Sequence, residues 1–534
     1  MRDGSLHNDR QTEVMDRDGG NPSAVPRQPA AQSRMALACL LVLAAGLRLW
    51  VANFQPNLIW ADEVYQVVEP AHRLVYGTGI VAWEYVVGMR SWLFPGVIAG
   101  VLWLGKLFGS DPAFKLIPVQ LFMVLCSLVP VAVAWRWGER LNGLRGGAIV
   151  GGFVAVWVDL VHISSHPLSD VIAGDVLMAG LYAALPLTTQ PGPRRLMLAG
   201  ALFGLAFALR MQLGPALLVA AIFACGRTPR SWGALILGGA AVVLAAGVLD
   251  WITLGTPFRS IWLNVWLNIA KGVSSDYGTL PASYFLVAPI LFWGILPALA
   301  VAALFIIGSR RFPALAAVVI AIFLTQSLIG HKEWRFIFPA LPLLVTLCGI
   351  AVVQEIQDIR RKWNGAPSPK ALAGVVGAIW VCLSLIVALA PSYRALWTFR
   401  RDTVDAFAFA ARQPGLCAVD LVDILWVVTP GSAALPAAIP IYANRAVDVP
   451  HDRAGYNVAI SREGATLPGY RRMGCFGGTA NLVGKRENAC VWTREGGCMS
   501  GVAKPPALNW PPFFTDARGA PRLDRIQTYL PRGH

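Results

Sequence analysis

The sequence predicts an all-α polytopic membrane protein of about eleven transmembrane helices. Interfacial helices are expected in its first outer loop, and a small mixed α/β domain is expected on the outer side at the C-terminal end. Three observations carry this. Of 534 residues, 56% are hydrophobic and only 14% charged, with a mean hydropathy of +0.55; soluble domains carry roughly 25% charged residues. Apolar runs of about 20 residues recur, the length that a ~30 Å hydrocarbon core demands of a spanning helix. Basic residues gather in alternate loops between those runs.

Residues 1–34 are polar, mixed in charge and rich in Pro, Gly and Gln, so they read as a disordered cytoplasmic segment. The first apolar run, "MALACLLVLAAGLRLWVANF", starts at Met35, deeper than a usual secretory signal, and is taken as the first span. The expected spans are 36–53, 113–135, 146–163, 171–188, 196–209, 212–225, 232–254, 284–308, 313–330, 336–355 and 371–391. With the N-terminus inside, the inner loops are "RWGERLNGLR", "QPGPRR", "GRTPRSWG", "GSRRF" and "QDIRRKWNGAPSPK". All are basic, as cytoplasmic loops are. The net charge of +15 therefore reports topology, and no nucleic-acid partner is implied.

The parity requires that 92–109, with Pro95 and Lys106, be interfacial or re-entrant. Spans 196–209 and 212–225 are short and meet at Arg210 and Gln212. They read as half-helices whose polar break faces a cavity, because irregular backbone at that depth needs protein or water around it.

The outer loops hold the polar chemistry. The first, 54–112, contains "WADEVYQVVEPAHRLVYGTGIVAWEYVVGMRS". Asp62 and Glu63 follow the first span directly. A carboxylate there, beside aromatic rings, is partly desolvated, which raises its pKa and makes it a better proton acceptor. An amphipathic interfacial helix would account for the same residues. The 255–283 loop carries Lys271, Asp276 and Tyr277 before a turn at "YGTLP". In "HISSHPLSD", His162 and His166 are four apart with Asp170 following, but Pro167 and the serines disfavour the helix that a metal site would need. No metal is expected. In "GHKEWRF", His331, Lys332, Glu333 and Arg335 crowd the outer face, where basic residues are usually depleted. Lys and Arg at that level suit a phosphate, and Glu333 could orient one of the cations.

The stretches "ADEVYQVVEPAHRLVYGTGIVAWEY", "GMRS", "TPFRSIWLN…SDYGTLPASYF" and "HKEWRFIFPALP" resemble, in order and spacing, the dolichyl- or polyprenyl-phosphate-mannose-dependent α-mannosyltransferases of glycosyltransferase family 22. The resemblance covers about residues 36–355. It implies a GT-C fold, with residues 35–392 as the transmembrane catalytic domain, and transfer of a hexose, mannose foremost, from a polyprenyl-phosphate donor to a glycan or glycolipid hydroxyl with inversion. Asp62 is then the expected general base, with Glu63 as its deputy. Adjacent helical residues point about 100° apart, so one of the two faces the sugar. His331, Lys332, Arg335 and Arg90 would hold the donor phosphate. Glu69, His72, Glu84, Arg210, Asp276 and Tyr277 are candidate substrate-binding residues. Protein cations replace a metal at a leaving group with one phosphate, so no cofactor is expected. Two alternatives stay open: a related transferase using arabinose or glucose, and a lipid-linked-sugar transporter or flippase. A transporter would carry charges deep within its spans.

Residues 393–534 contain strand-like runs, "CAVDLVDILWVV" and "AAIPIYA", between Gly/Pro turns. Cys39, Cys126, Cys225, Cys348 and Cys382 lie in apolar runs and read as small hydrophobes. Cys417, Cys475, Cys490 and Cys498 share the tail and allow two disulfides in one of three connectivities. The expected location is a bacterial inner membrane with a periplasmic site, or the equivalent lumenal arrangement in an ER membrane.

Overall fold

A computed structural model describes residues 30–54, 56–186, 190–363, 367–444, 455–480, 486–498, 510–516 and 520–530. Residues 1–29, most of the expected disordered start, lie outside the described residues. The remainder of that start is helical, since the first helix already begins at Ala30 and runs to Phe54. The fold is mostly helical (71%), with one small sheet in the tail.

Among the described residues, five helices are long and apolar enough to cross a membrane: Ala31–Phe54, Pro112–Val156, Pro229–Leu254, Trp334–Lys362 and Pro369–Leu389. A sixth crossing exists if Val158–Ser165 and Ser169–Ala184, bent by 117°, count as one span. The expected count of about eleven is therefore not met by single long helices, and the reasons are local. The segment Ile117–Val156 contains two expected spans. It breaks at Asn142 (φ −152°) and Gly143 (φ 56°), a left-handed value that glycine adopts cheaply. A Cβ on Gly138 would lie 2.2 Å from the Gly146 oxygen. Eight residues of continuous helix would separate these glycines by about 12 Å, so the chain doubles back inside the basic loop. The expected span 284–308 is split at Gly294 into Tyr284–Trp293 and Ile295–Arg311. Leu93–Lys106, with 14 residues, is about 21 Å long and too short to cross. This agrees with its reading as an interfacial or re-entrant element.

The break between half-helices is also present. Pro193–Leu209 ends at Arg210, and Gly214–Cys225 follows a single 3₁₀ turn, Met211–Leu213. Small residues seat the first half-helix on Pro229–Leu254: a Cβ on Gly200 would lie 1.9 Å from the Leu235 oxygen. Such close backbone approach is how apolar helices associate where water gives no hydrophobic drive. It fixes where Arg210 emerges.

The tail forms a five-stranded sheet of β1 (Val419–Val422), β2 (Ile441–Asn444), β3 (Val458–Arg462), β4 (Arg471–Ala480) and β5 (Arg486–Thr493). Their order is β2-β1-β3-β5-β4. β1 pairs parallel with β2 and β3, while β5 runs antiparallel between β3 and β4. β1 is buried along its whole length, as a central parallel strand should be. Helix Arg401–Ala410 packs on β4 and β5, completing the expected mixed α/β unit. The disulfides are Cys417–Cys498 and Cys475–Cys490.

This unit does not stand apart from the first loop. Val64, Tyr65 and Tyr85 share one apolar core with Phe407, Val419, Leu421, Trp426, Ile460 and Val491. A second cluster joins Trp83 and Met89 to Leu263, Leu267, Phe514 and Ile526. The first loop is thus clamped by the 259–277 segment and by the tail.

Candidate active site

The site is built around one dipeptide. Trp60 is extended (φ −117°, ψ 135°) and opens the short helix Ala61–Glu63, which runs on through a π turn at Val64–Val68. Glu63 Oε1 accepts the backbone N–H groups of Ile59 (2.9 Å) and Trp60 (3.2 Å). Helix starts leave such donors without partners, and the carboxylate satisfies them. Glu63 Oε2 accepts from His166 Nδ1 at 2.5 Å. Asp62 points the other way, its side chain 25% exposed, and Arg335 Nη2 lies 2.5 Å from its Oδ2. Asp62 and Glu63 therefore serve different neighbourhoods, as the helical 100° offset implies.

Arg335 sits in the 3₁₀ turn Trp334–Ala340 that leads into helix Leu341–Lys362. Its side chain is buried, and every nitrogen meets a carboxylate. Nε donates to Glu333 (2.8 Å), Nη1 to Asp170 (3.3 Å), and Nη2 to Asp62 and Glu333 (3.1 Å). Asp170, fully buried, also meets Arg210 Nε at 2.6 Å. The Glu333 carboxyl, which burial alone would raise, is held below the usual carboxylate range by Arg335 and His331. His331 gives Nδ1–H to the Gly278 carbonyl (2.9 Å) and Nε2 to Glu333 (3.1 Å). The bond to Glu333 foremost raises its pKa, against the opposing effect of burial. Lys332 donates to the carbonyls of Ile329 and, at 2.9 Å, Leu280. His331 and Lys332 thus tie the "YGTLP" turn to the "HKEWR" segment.

Beside this cluster lies a cavity of about 80 Å³, whose polar lining includes Gln66, Arg90, Ser169, Arg210, Gln212 and Asn264. The polar break at Arg210 and Gln212 faces a cavity, as expected. Arg90 Nε is buried with no hydrogen-bond partner among the described residues. Arg210 meets Asp170 through Nε, and its guanidinium lies 5.2 Å from the centre of the Phe336 ring.

The remaining candidates are placed elsewhere or paired within the protein. Glu84 accepts from Gln66 Nε2 (3.1 Å), and burial pushes its carboxyl up. Tyr277 Oη accepts from Trp83 Nε1 (3.0 Å), and Asp276 accepts the Phe513 N–H (3.3 Å). Glu69 is buried under the tail. It accepts the N–H groups of Ile80 (2.6 Å) and Ala433 (3.1 Å), and burial raises its pKa to about 7. Gly431, at φ 71°, passes so close that a Cβ would lie 2.6 Å from Glu69 Oε1. His72 donates Nδ1–H to the Thr78 carbonyl (2.6 Å) and accepts from Lys115 Nζ (3.2 Å). That leaves it a neutral imidazole, with burial lowering its pKa to about 4. Glu69 and His72 fasten the first loop to the tail and do not line the cavity.

Asp170, Gln66 and Asn264 were not among the sequence candidates for the site. A carboxylate opening an apolar run was the available signal for Asp170. Of its two histidine neighbours, His166 is engaged by Glu63, and His162 Nε2 accepts from the Asn57 amide at 3.2 Å.

The backbone matches a known architecture. The crystal structure of ArnT from Cupriavidus metallidurans bound to undecaprenyl phosphate superposes with a TM-score of 0.58 at 15% identity, covering 90% of this chain and 100% of that one. The fold is accordingly GT-C-like. In sequence, GPI mannosyltransferase 3 of Yarrowia lipolytica is 27% identical over 414 residues, 76% of each chain. Mannosyltransferase APTG1 of Arabidopsis thaliana is 25% identical over 357 residues, 63% of this chain and 61% of the relative. The profile of the Alg9-like mannosyltransferases matches residues 38–415. On that match, which covers well over half of its length, the chain belongs to the Alg9-like mannosyltransferase family.

Proposed function

We propose that this chain transfers mannose from a polyprenyl-phosphate donor to a hydroxyl of a glycolipid acceptor of the GPI-precursor class. The observation that carries the proposal is the Asp62–Arg335 pair beside the cavity lined by Arg90 and Arg210. The acceptor oxygen attacks the anomeric carbon, its proton passes to the Asp62 carboxylate, and the C–O bond to phosphate breaks with its electron pair on the leaving polyprenyl phosphate. Attack opposite the leaving group inverts the anomeric centre. The growing negative charge is met by Arg90 and Arg210, cations not saturated by carboxylates. Fixed charges in a water-poor site stabilise such charge strongly, and this route needs no metal. Arg335, already bonded to three carboxylates, holds Asp62 aimed. Gln66, on the cavity wall, would bind a sugar hydroxyl. The relatives' printed names support mannose and a GPI-type acceptor, and the undecaprenyl phosphate of the ArnT structure supports the donor class. The basic loops and the paired tail cysteines support a site on the exoplasmic side.

The test supplies purified protein with labelled polyprenyl-phosphate-mannose and mannosylated glucosaminyl-phosphatidylinositol, with a chelator present. Labelled product is expected from the wild type, and Asp62→Asn should make little. Transfer from a nucleotide-mannose alone would overturn the donor assignment, and full activity of Asp62→Asn would overturn the base.

A further inference from the structure

The bend between Val158–Ser165 and Ser169–Ala184 grips both members of the Asp62–Glu63 dipeptide. At one end of the bend, His166 donates Nδ1–H to Glu63 Oε2 at 2.5 Å; a carboxylate there can only accept. At the other end, Asp170 holds Arg335, and Arg335 holds Asp62. Trp60, just before the dipeptide, packs edge-on against His166 and against Phe338, with ring centres 6.4 and 5.4 Å apart. His166 and Glu63 are both buried. We infer that His166 is a positioning residue for Asp62, acting through Glu63. This rests on the reading of Asp62 as the base.

The physical argument is short. Glu63 Oε1 fixes the Ile59 and Trp60 amides, which set where the helix carrying Asp62 begins. A carboxylate with one oxygen on two amides can still swing about them. The His166 N–H on the second oxygen removes that freedom. Asp62 reaches Arg335 only if the turn keeps its phase, because one residue of helical slip rotates a side chain by about 100°. Misplacement of a reacting group by about 1 Å can cost about a hundredfold in rate.

The experiment compares wild type with His166→Leu and His166→Asn. Leu removes the donor, whereas the Asn amide can place an N–H near the Nδ1 position. His166→Leu should lower kcat by about ten- to a hundredfold with donor KM within about twofold, and His166→Asn should recover most of kcat. In the same preparations, amide exchange at residues 59–63 should be faster by about tenfold or more in His166→Leu, and near wild type in His166→Asn. Wild-type kcat in His166→Leu, unchanged exchange at 59–63, or an Asn variant as defective as Leu would each overturn the link. The exchange readout needs no turnover. A wild type that transfers no mannose from a polyprenyl donor would instead overturn the proposed function.

Discussion

Arg335 Nη2 stands 2.5 Å from Asp62 Oδ2, across 273 residues of sequence. This pair joins the first loop to the "HKEWR" segment and decides what each residue is free to do. With its nitrogens committed to Asp62, Asp170 and Glu333, the guanidinium has little left for a substrate phosphate. On the proposed reading, its work is to hold Asp62 in place. Replacing Asp62 by Asn keeps the shape and removes the proton acceptor. Transfer should fall by about a hundred- to ten-thousandfold, read as initial rates at saturating donor.

Arg335→Leu should harm the fold as well as the rate. It leaves Asp170, fully buried, with Arg210 as its remaining cation, Glu333 with His331 alone, and Asp62 without its ion pair. Breaking a buried pair on one side costs about 3–5 kcal/mol. Thermal unfolding in detergent should show a clear drop, and a midpoint equal to wild type would refute the account.

Arg90→Ala should behave in the opposite way. Arg90 Nε has no hydrogen-bond partner among the described residues, so its removal breaks no hydrogen bond there, and Glu84, its charged neighbour, keeps the Gln66 amide. The unfolding midpoint should stay within about 1 °C, since substitutions that touch no network move stability little. Donor use, read as kcat/KM, should fall by about tenfold or more, because charge-assisted contacts to an anion are worth about 1.5–3 kcal/mol.

Stability should vary with pH through Glu69. Its folded pKa is about 7 against an ordinary 4.5, so the folded state binds the proton more tightly. That contribution is complete below pH 4.5 and is lost as pH rises through about 7. The gap corresponds to about 3 kcal/mol. His72 acts in the opposite sense: with its pKa lowered from 6.5 to about 4, its contribution is complete above pH 6.5 and is lost as pH falls towards 4. The difference between wild type and Glu69→Gln across pH 5 to 8 isolates the carboxyl. Parallel pH curves for the two proteins would contradict the assignment.

The tail disulfides carry the topology. Intact sealed cells should label Cys417, Cys475 and Cys498 only after reduction, and from the exoplasmic side, while Cys490 stays buried in the sheet. Labelling confined to inverted vesicles would reverse the orientation. The Cys417–Cys498 bridge spans 81 residues and Cys475–Cys490 spans 15. Removing the longer should cost about 1.5 kcal/mol more, by loop entropy alone.

The sequence disclosed the chemistry more fully than the contacts. Charge alternation and apolar length sufficed for a polytopic body, and Asp62, Arg90, Arg210 and "HKEWR" were visible as ionisable groups in costly places. Their pairing was not. Asp170 reads only as part of a disfavoured metal-ligand set until Arg335 and Arg210 are found beside it. Lys332 reads as a phosphate ligand until the Ile329 and Leu280 carbonyls are seen to take its protons. Helix continuity failed for the same reason. Gly294 lies inside apolar sequence, where the tertiary contacts that stabilise a break leave no periodic trace, whereas the Asn142–Gly143 break falls in the expected inner loop "RWGERLNGLR".

The core shared by the first loop and the tail sets an order of assembly. Val64, Tyr65 and Tyr85 are translated early, yet the residues that cover them, Phe407 to Val491, come more than 300 positions later. Until then the loop that presents Asp62 has an uncovered apolar face at the membrane surface. The reacting end of the molecule is begun among the first segments to leave the ribosome and completed among the last. A chain that stops short of these tail residues leaves that face without its cover.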